Sequence, residues 1–466
     1  MLPRFEIRDR LRPVALLAPD QVRTDLTWPG EPPTSIWTAA PAQAPYLALV
    51  VDLAPGEVSG RLSFGWTCGD GRRLLGWYDG RRRLLGIDLG SADGTTTSHR
   101  SRRFGRLDGG AVTGSLALTL TGTHLTVLTA HRGTWAARAR VDLLGVWDTR
   151  AEAFLDHLEA GFEWTHPDAA PAPMARLRQG SFGQLGLRDL HVATHADGQV
   201  VRHEDRIVLT ATHAGPGFFD TGHTGVWTFD PDTHELEHRS NLFFHRPDVP
   251  GVFGDHATHL VRDGAEWLVA TSTWGDFDRT GVEITLARTQ ADLLNGEHVL
   301  DTTYLDLPTT GVGVWDPHLT RIEGLWHVAF VTASKFFDFH PALCRGTSLG
   351  ALELVGEDLT RRATEGTVLV EIDHTWRLVA SDGRDNRLDR RERFPVYDLT
   401  MTEIDVLDAP YPTNIPWPMV LPDGDGWLML TFDGTRYGGG ILGYGTHGDV
   451  VVMRTGELPG SVLDGR

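Results

Sequence analysis

Five short stretches of the chain set a carboxyl, imidazole or indole group just ahead of an apolar run. They are Asp189 in "LRDLHV", Asp255 in "FGDHATHL", Asp316 in "VWDPHL", Glu365 in "ATEGTVLV" and the segment Asn414 to Trp417 in "TNIPWPMV". Taken singly, each acid reads as a turn residue, since Asp before Pro commonly opens a loop or strand. Taken together they carry more. Carboxylates crowded into one place raise one another's pKa and cost stability, so their gathering calls for a reaction, a ligand or a metal that uses them. The chemistry within reach is general acid and base work, in which one carboxyl stays protonated while another stays ionised.

The elements that must position these groups recur. After Gly180 the chain repeats an apolar strand, a turn of the Asp-Gly kind, an aromatic residue and a second apolar strand. In the last four copies Trp267, Trp326, Trp376 and Trp427 hold the same place, spaced by 59, 50 and 51 residues. That period is close to the roughly 40–50 residues of a four-stranded propeller blade. Five copies, the first with a longer hairpin, predict a five-bladed β-propeller over 181–466, with the Trp residues as packing anchors between blades. The innermost strand of each blade begins near the axis, so the acids line a central funnel. His191, Asp255, His256, Trp315, His318 and Trp417 are the candidates for binding a substrate there.

Residues 1–150 alternate short apolar runs such as "YLALVVDL", "GRLSFGWTC" and "SLALTLTG" with turn signals every 8–12 residues or so, the pattern of a β-sandwich. Its texture resembles a laminin-G or concanavalin-like jelly roll. The stretch "DTRAEAFLDHLEAGFEW" has helical spacing with acids near its start, and a Pro- and Ala-rich run follows it, so 151–180 reads as a short helix and linker. The fold class is all-β: a sandwich followed by a propeller.

Composition narrows the partners. The 466 residues carry a net charge of −19, which disfavours nucleic acid or an anionic membrane, and no apolar run reaches membrane-spanning length. Two cysteines, Cys68 and Cys344, cannot form a disulfide framework or a zinc ribbon. No secretory leader is evident at the start, so a cytoplasmic location is expected.

The motifs resemble those of family 43 glycoside hydrolases and their five-bladed relatives. "RDLHV" is similar to the Arg-Asp-Pro-His signature of that family's first blade, with Leu190 in place of Pro. "VWDPHL" is similar to its Trp-Ala-Pro-Asp stretch, with Asp316 before the Pro rather than after it. "TEGTVLVEIDHTWRLVAS" resembles its Glu-Gly-Pro stretch and following hairpin. The order Asp, Asp, Glu with spacings of 127 and 49 residues suits the family. The resemblance implies an inverting glycosidase acting on a small furanoside or pyranoside of the arabinose, xylose or fructose class. Asp189 would be the general base, Glu365 the general acid, and Asp316 the acid that orients Glu365 and raises its pKa, a role Asp255 contests. The resemblance also admits a calcium ion in the propeller channel, although no calcium loop can be read; no cofactor is otherwise expected. His256 and His259, three apart on a strand, make poor joint metal ligands. No nucleophile elbow, P-loop or dinucleotide fingerprint occurs. The rival readings are a catalytically silent carbohydrate-binding protein, a retaining fructosidase-like enzyme and a glycoside phosphorylase.

Overall fold

The computed structural model describes residues 2–455 apart from 57, 108–111, 113, 132, 167–169, 278–280, 414 and 437–446. Asn414, singled out above, therefore lies outside the described residues. Among the described residues, no helix is long and apolar enough to cross a membrane.

The first unit is a sandwich of two antiparallel six-stranded sheets. One runs in the order Thr134–Asp142, His124–His131, Ser115–Thr121, Tyr46–Leu53, Met174–Gln184, Ala15–Thr27. The other runs Ser35–Ala39, Leu158–Thr165, Arg61–Cys68, Arg73–Asp79, Leu84–Gly90, Thr96–His99. Leu47, Leu49, Val51 and Leu118 of the first share a core with Phe64, Trp66, Leu74 and Phe162 of the second. The alternate residues Tyr46, Ala48 and Val50 face the other way and are buried with Phe243 and Val252 of the next unit. "YLALVVDL" is thus apolar throughout because both of its faces are covered.

The second unit is a five-bladed propeller. Its innermost strands are Leu187–Val192, His256–Asp263, Val314–Ile322, Thr364–Ile372 and Met419–Asp423. Five apolar clusters join neighbouring blades in turn: Val208 with Leu260, Val261 with Leu319, Ala329 with Leu369, Val370 with Val420, and, closing the ring, Leu190 with Met419. Trp267 and Trp326 are buried within these clusters, and Trp376 and Trp427 pack against them, as anchors between blades should.

The structure corrects the domain boundaries. Leu158–Thr165 and Met174–Gln184 are sandwich strands, not linker, and among the described residues of the stretch the only helix is the four-residue Glu152–Leu155. Leu158, Ala160, Phe162 and Trp164 are all buried on a period of two, which the helical reading of the same residues overlooked. At the other end, Phe5–Leu11 pairs antiparallel with His447–Thr455 and supplies the outermost strand of the fifth blade. The sandwich is therefore inserted within the propeller rather than placed ahead of it.

The longer first hairpin closes the back of the channel. Thr194–His195 pairs in parallel with Val261 and Arg262 of the second blade. The Arg321 N–H of the third blade donates to the Ala196 carbonyl at 2.6 Å. A Cβ on Gly198 would stand 2.4 Å from the Trp376 ring of the fourth blade. The hairpin thus reaches across three neighbours at the end opposite the strand starts.

Candidate active site

The first four innermost strands begin alike. Each breaks its register with its partner near the start, between Arg188 and His191, His256 and His259, Trp315 and His318, and Glu365 and Val368. At each break one residue adopts a left-handed backbone: Asp189 (φ 50°), Ala257 (60°), Asp316 (57°) and Gly366 (66°). Such bulges re-aim side chains and are common beside active sites. They also set the true alignment of the repeats. Asp189 and Asp316 are equivalent; Glu365 precedes that position and matches Arg188, His256 and Trp315. Asp255 lies one residue earlier still, so the acids are not all in equivalent places as the repeat reading assumed.

Asp189, Asp316 and Glu365 interact in one buried pocket. Burial raises the Asp189 pKa, while Arg188, whose Nε lies 3.4 Å from Asp189 Oδ2, and the Thr212 hydroxyl oppose the rise. Burial, and then the Asp189 charge, push Glu365 up to about 8; Trp315 and Arg188 pull it back. The Trp315 indole N–H is close enough to favour the Glu365 anion but outside hydrogen-bonding geometry. Asp316 is raised well above the ordinary value by burial, then by Glu365 and Asp189, against the Gly366 N–H that donates to it. Asp189 thus raises both Glu365 and Asp316, and Asp316 and Glu365 also oppose each other's ionisation. Glu365 is enclosed by protein yet keeps a partly exposed face, as a carboxyl at the floor of a narrow funnel would.

A histidine layer lies beneath. His191, His259 and His318 each stand two residues beyond the left-handed position. Their rings pack as a triangle, with centroid distances of 4.2, 4.3 and 5.0 Å. His191 Nε2 and His318 Nδ1 are 2.8 Å apart. Burial pushes all three well below the usual histidine range, His318 to about 3, so they are neutral. Their ring nitrogens come within 4.8 Å of one another. Both nitrogens of His259 are taken, however: Nδ1 accepts the Leu319 N–H at 3.0 Å, so Nε2 carries the proton and donates to Thr194 Oγ1 at 3.1 Å. As folded, the layer is a packed stack and does not present three lone pairs to an ion.

Three candidates require correction. Asp255 is fully buried, and both its oxygens accept from Arg246, at 2.9 and 2.5 Å, with the Gly275 N–H at 3.0 Å; it is a structural ion pair and no rival to Asp316. Trp417 is 2% exposed and packs in a small cluster with Ala257 and Phe432, so it fills the channel and offers no open face to a sugar. His256 is likewise buried, its Nδ1–H donating to the Gly254 carbonyl at 3.0 Å. Trp315 stays beside Glu365. Two more candidates, His191 and His318, are 0% and 2% exposed and lie in the buried layer beneath the carboxyls, out of a substrate's reach. Sequence reasoning missed Arg188, His259 and Ser272, whose hydroxyl accepts the Asp316 N–H at 3.0 Å. A signal did exist: "DLH", "ATH" and "DPH" set the three histidines in register, whereas the acids alone do not.

Fold and site together define a class, the five-bladed β-propeller with a carboxyl-lined funnel. No family model matches the sequence, and no curated protein matches it. Among solved structures the chain is similar to a GH32 β-fructofuranosidase of Bombyx mori (14% identity, TM-score 0.39, covering 57% of this chain and 59% of that one). It is also similar to a levansucrase from Bacillus subtilis (10%, 0.41, 53% and 79%) and to a GH43_1 enzyme from Xanthomonas citri complexed with xylose (12%, 0.40, 57% and 86%). The match thus spans less than two thirds of the Bombyx mori chain.

Proposed function

We propose that the chain is a glycosidase that hydrolyses a small furanoside or pyranoside of the arabinose, xylose or fructose class by inversion. The observation that carries the reading is the meeting of two buried carboxyls in unlike surroundings: Asp189 stands 3.4 Å from Arg188 Nε, and Glu365, facing the Asp189 charge, is pushed up to about 8. That is the division a single-displacement hydrolysis needs. Asp189 removes a proton from water as the water attacks the anomeric carbon. Glu365 gives its proton to the departing oxygen, and the bond to the leaving group breaks. Asp316 acts through the backbone, accepting the Gly366 N–H and so fixing the residue that follows Glu365. Trp315 stands beside Glu365 at the floor, and His191 and His318 support the carboxyls from the buried layer beneath. The net charge of −19 suits a neutral substrate over a polyanion.

The test is an activity screen on aryl glycosides and oligosaccharides with the product anomer followed by NMR. Inversion is expected. Retention would replace this mechanism with a double displacement, a requirement for phosphate would indicate a phosphorylase, and binding without turnover would indicate a carbohydrate-binding protein.

A further inference from the structure

On the first four blades the loops that join the second and third strands return to the face where the acids lie. On the first three blades these loops are aromatic. Phe218 and Phe219 come from 214–222, Trp274 and Phe277 from 273–283, and Phe336 and Phe337 from the turn after Leu325–Lys335. They form one continuous wall. Phe219 meets Trp274 at 5.0 Å and Phe277 at 5.5 Å, Phe277 meets Phe336 at 5.4 Å, and Trp274 meets Trp315 at 5.5 Å. The wall therefore runs from the rim down to the indole that faces Glu365. Its outer ends, Phe218 and Phe337, are 51% and 58% exposed. On the fourth blade the matching loop, 383–394, is charged instead, with Arg384, Asp385, Arg387, Asp389 and Arg390.

This wall is held rigidly, and much of the holding comes from the sandwich. Arg140 donates to the Pro216 carbonyl at 3.1 Å, and His124 lies 3.6 Å from Asp220, both bracing the Phe218–Phe219 loop. Arg246 pairs with Asp276 at 2.6 Å in the Trp274–Phe277 loop. Asp220 and Asp276 of these loops are thus held by His124 and Arg246. Among the described residues, what these loops turn towards solvent is mainly phenyl, whereas a sugar subsite needs placed polar groups.

The hairpin at 193–205 lies behind the acids, so a sugar bound at them sends its leaving group outwards, towards the rim that this wall forms on three of the blades. Building on the glycosidase reading, we propose that the aromatic lip is a leaving-group site for a flat apolar aglycone, an aryl or arylalkyl alcohol, and not for a further sugar. The lip is preorganised, so such an aglycone loses less on binding than it would at a mobile surface.

The test compares 2-phenylethyl and ethyl glycosides of whichever sugar the screen shows to be cleaved, together with the corresponding disaccharide. The two alcohols leave with similar acidity, so the comparison isolates the lip. The phenylethyl glycoside should have a kcat/KM roughly tenfold higher, carried mainly by a lower KM. The ratio should fall towards one in a Phe218→Ala/Phe337→Ala variant and survive in Phe218→Tyr/Phe337→Tyr. Equal kcat/KM for the two alkyl glycosides, or a disaccharide preferred over the phenylethyl compound, would overturn the lip while leaving the glycosidase standing. If no glycoside of the screen is cleaved, the glycosidase reading falls and the lip with it.

Discussion

The Gly366 backbone N–H donates to Asp316 Oδ2 at 3.3 Å. This bond ties the acid of the third blade to the residue after the acid of the fourth. It is only possible because Gly366 adopts φ 66°, and because the Trp417 ring lies where a side chain at 366 would be: a Cβ would come within 2.3 Å of it. One glycine thus serves backbone strain, packing and the electrostatics of the site.

Replacing Gly366 by Ala should destabilise the protein by roughly 2–5 kcal/mol, the sum of a left-handed penalty and overpacking against Trp417. Gly264→Ala is the control. Its φ is 62°, but nothing stands within 4 Å of its Cβ, so only the backbone part of about 1–2 kcal/mol should appear. Thermal or urea unfolding of both variants makes the comparison, and equal losses would show that the Trp417 contact does not matter.

Asp189→Asn should reduce turnover roughly a thousandfold on every substrate while leaving binding in place. Glu365→Gln should reduce it similarly on alkyl glycosides but much less on 2,4-dinitrophenyl glycosides, whose leaving group needs no proton. Steady-state kinetics on both substrate types check the assignment, and the opposite pattern would exchange the two roles.

Trp315→Phe removes the indole N–H that favours the Glu365 anion. The Glu365 pKa should then rise, and the alkaline limb of the kcat/KM profile should move to higher pH. A limb that stays fixed or moves down would detach Trp315 from Glu365.

The same carboxyl makes stability depend on pH. In the folded state Glu365 titrates near 8, against roughly 4.3 when unfolded, so the native protein holds a proton that the unfolded chain releases. This contribution to stability is full below the unfolded value and is lost as pH rises to about 8. Glu365→Gln should therefore flatten the loss over that window and raise Tm at pH 9 by about 2 °C or more relative to the unsubstituted protein. Asp189 and Asp316, also raised, should leave part of the slope. Scanning calorimetry from pH 5 to 9 provides the check.

Removing the chain up to Leu11 should weaken the fifth blade. The fifth blade would lose its outer strand, leaving the edge of His447–Thr455 unpaired and prone to associate with other chains. A lowered Tm and aggregation by light scattering are expected; an unchanged, monodisperse protein would show that the strand is dispensable.

Period and pattern made the architecture legible from sequence. The Trp spacing foretold the blades because each blade is a local unit that repeats its own packing, and short apolar runs punctuated by turns foretold the sandwich because each strand must reverse within the thickness of one sheet. The same local signals foretold that Asp189, Asp316 and Glu365 stand at strand starts. What they could not carry was anything depending on a distant partner. Whether Asp255 faces substrate or an arginine rests on Arg246 alone, and whether Trp417 is a platform or a plug rests on Gly366, Ala257 and Phe432. The bulges that shift Glu365 out of line with the other acids, and the first strand closing the fifth blade, likewise appear only once the ring has formed. The sequence by itself determined which groups could act as acid and base; the unlike surroundings of those groups, which depend on burial and on charges brought together from separate blades, were decided only by the tertiary structure.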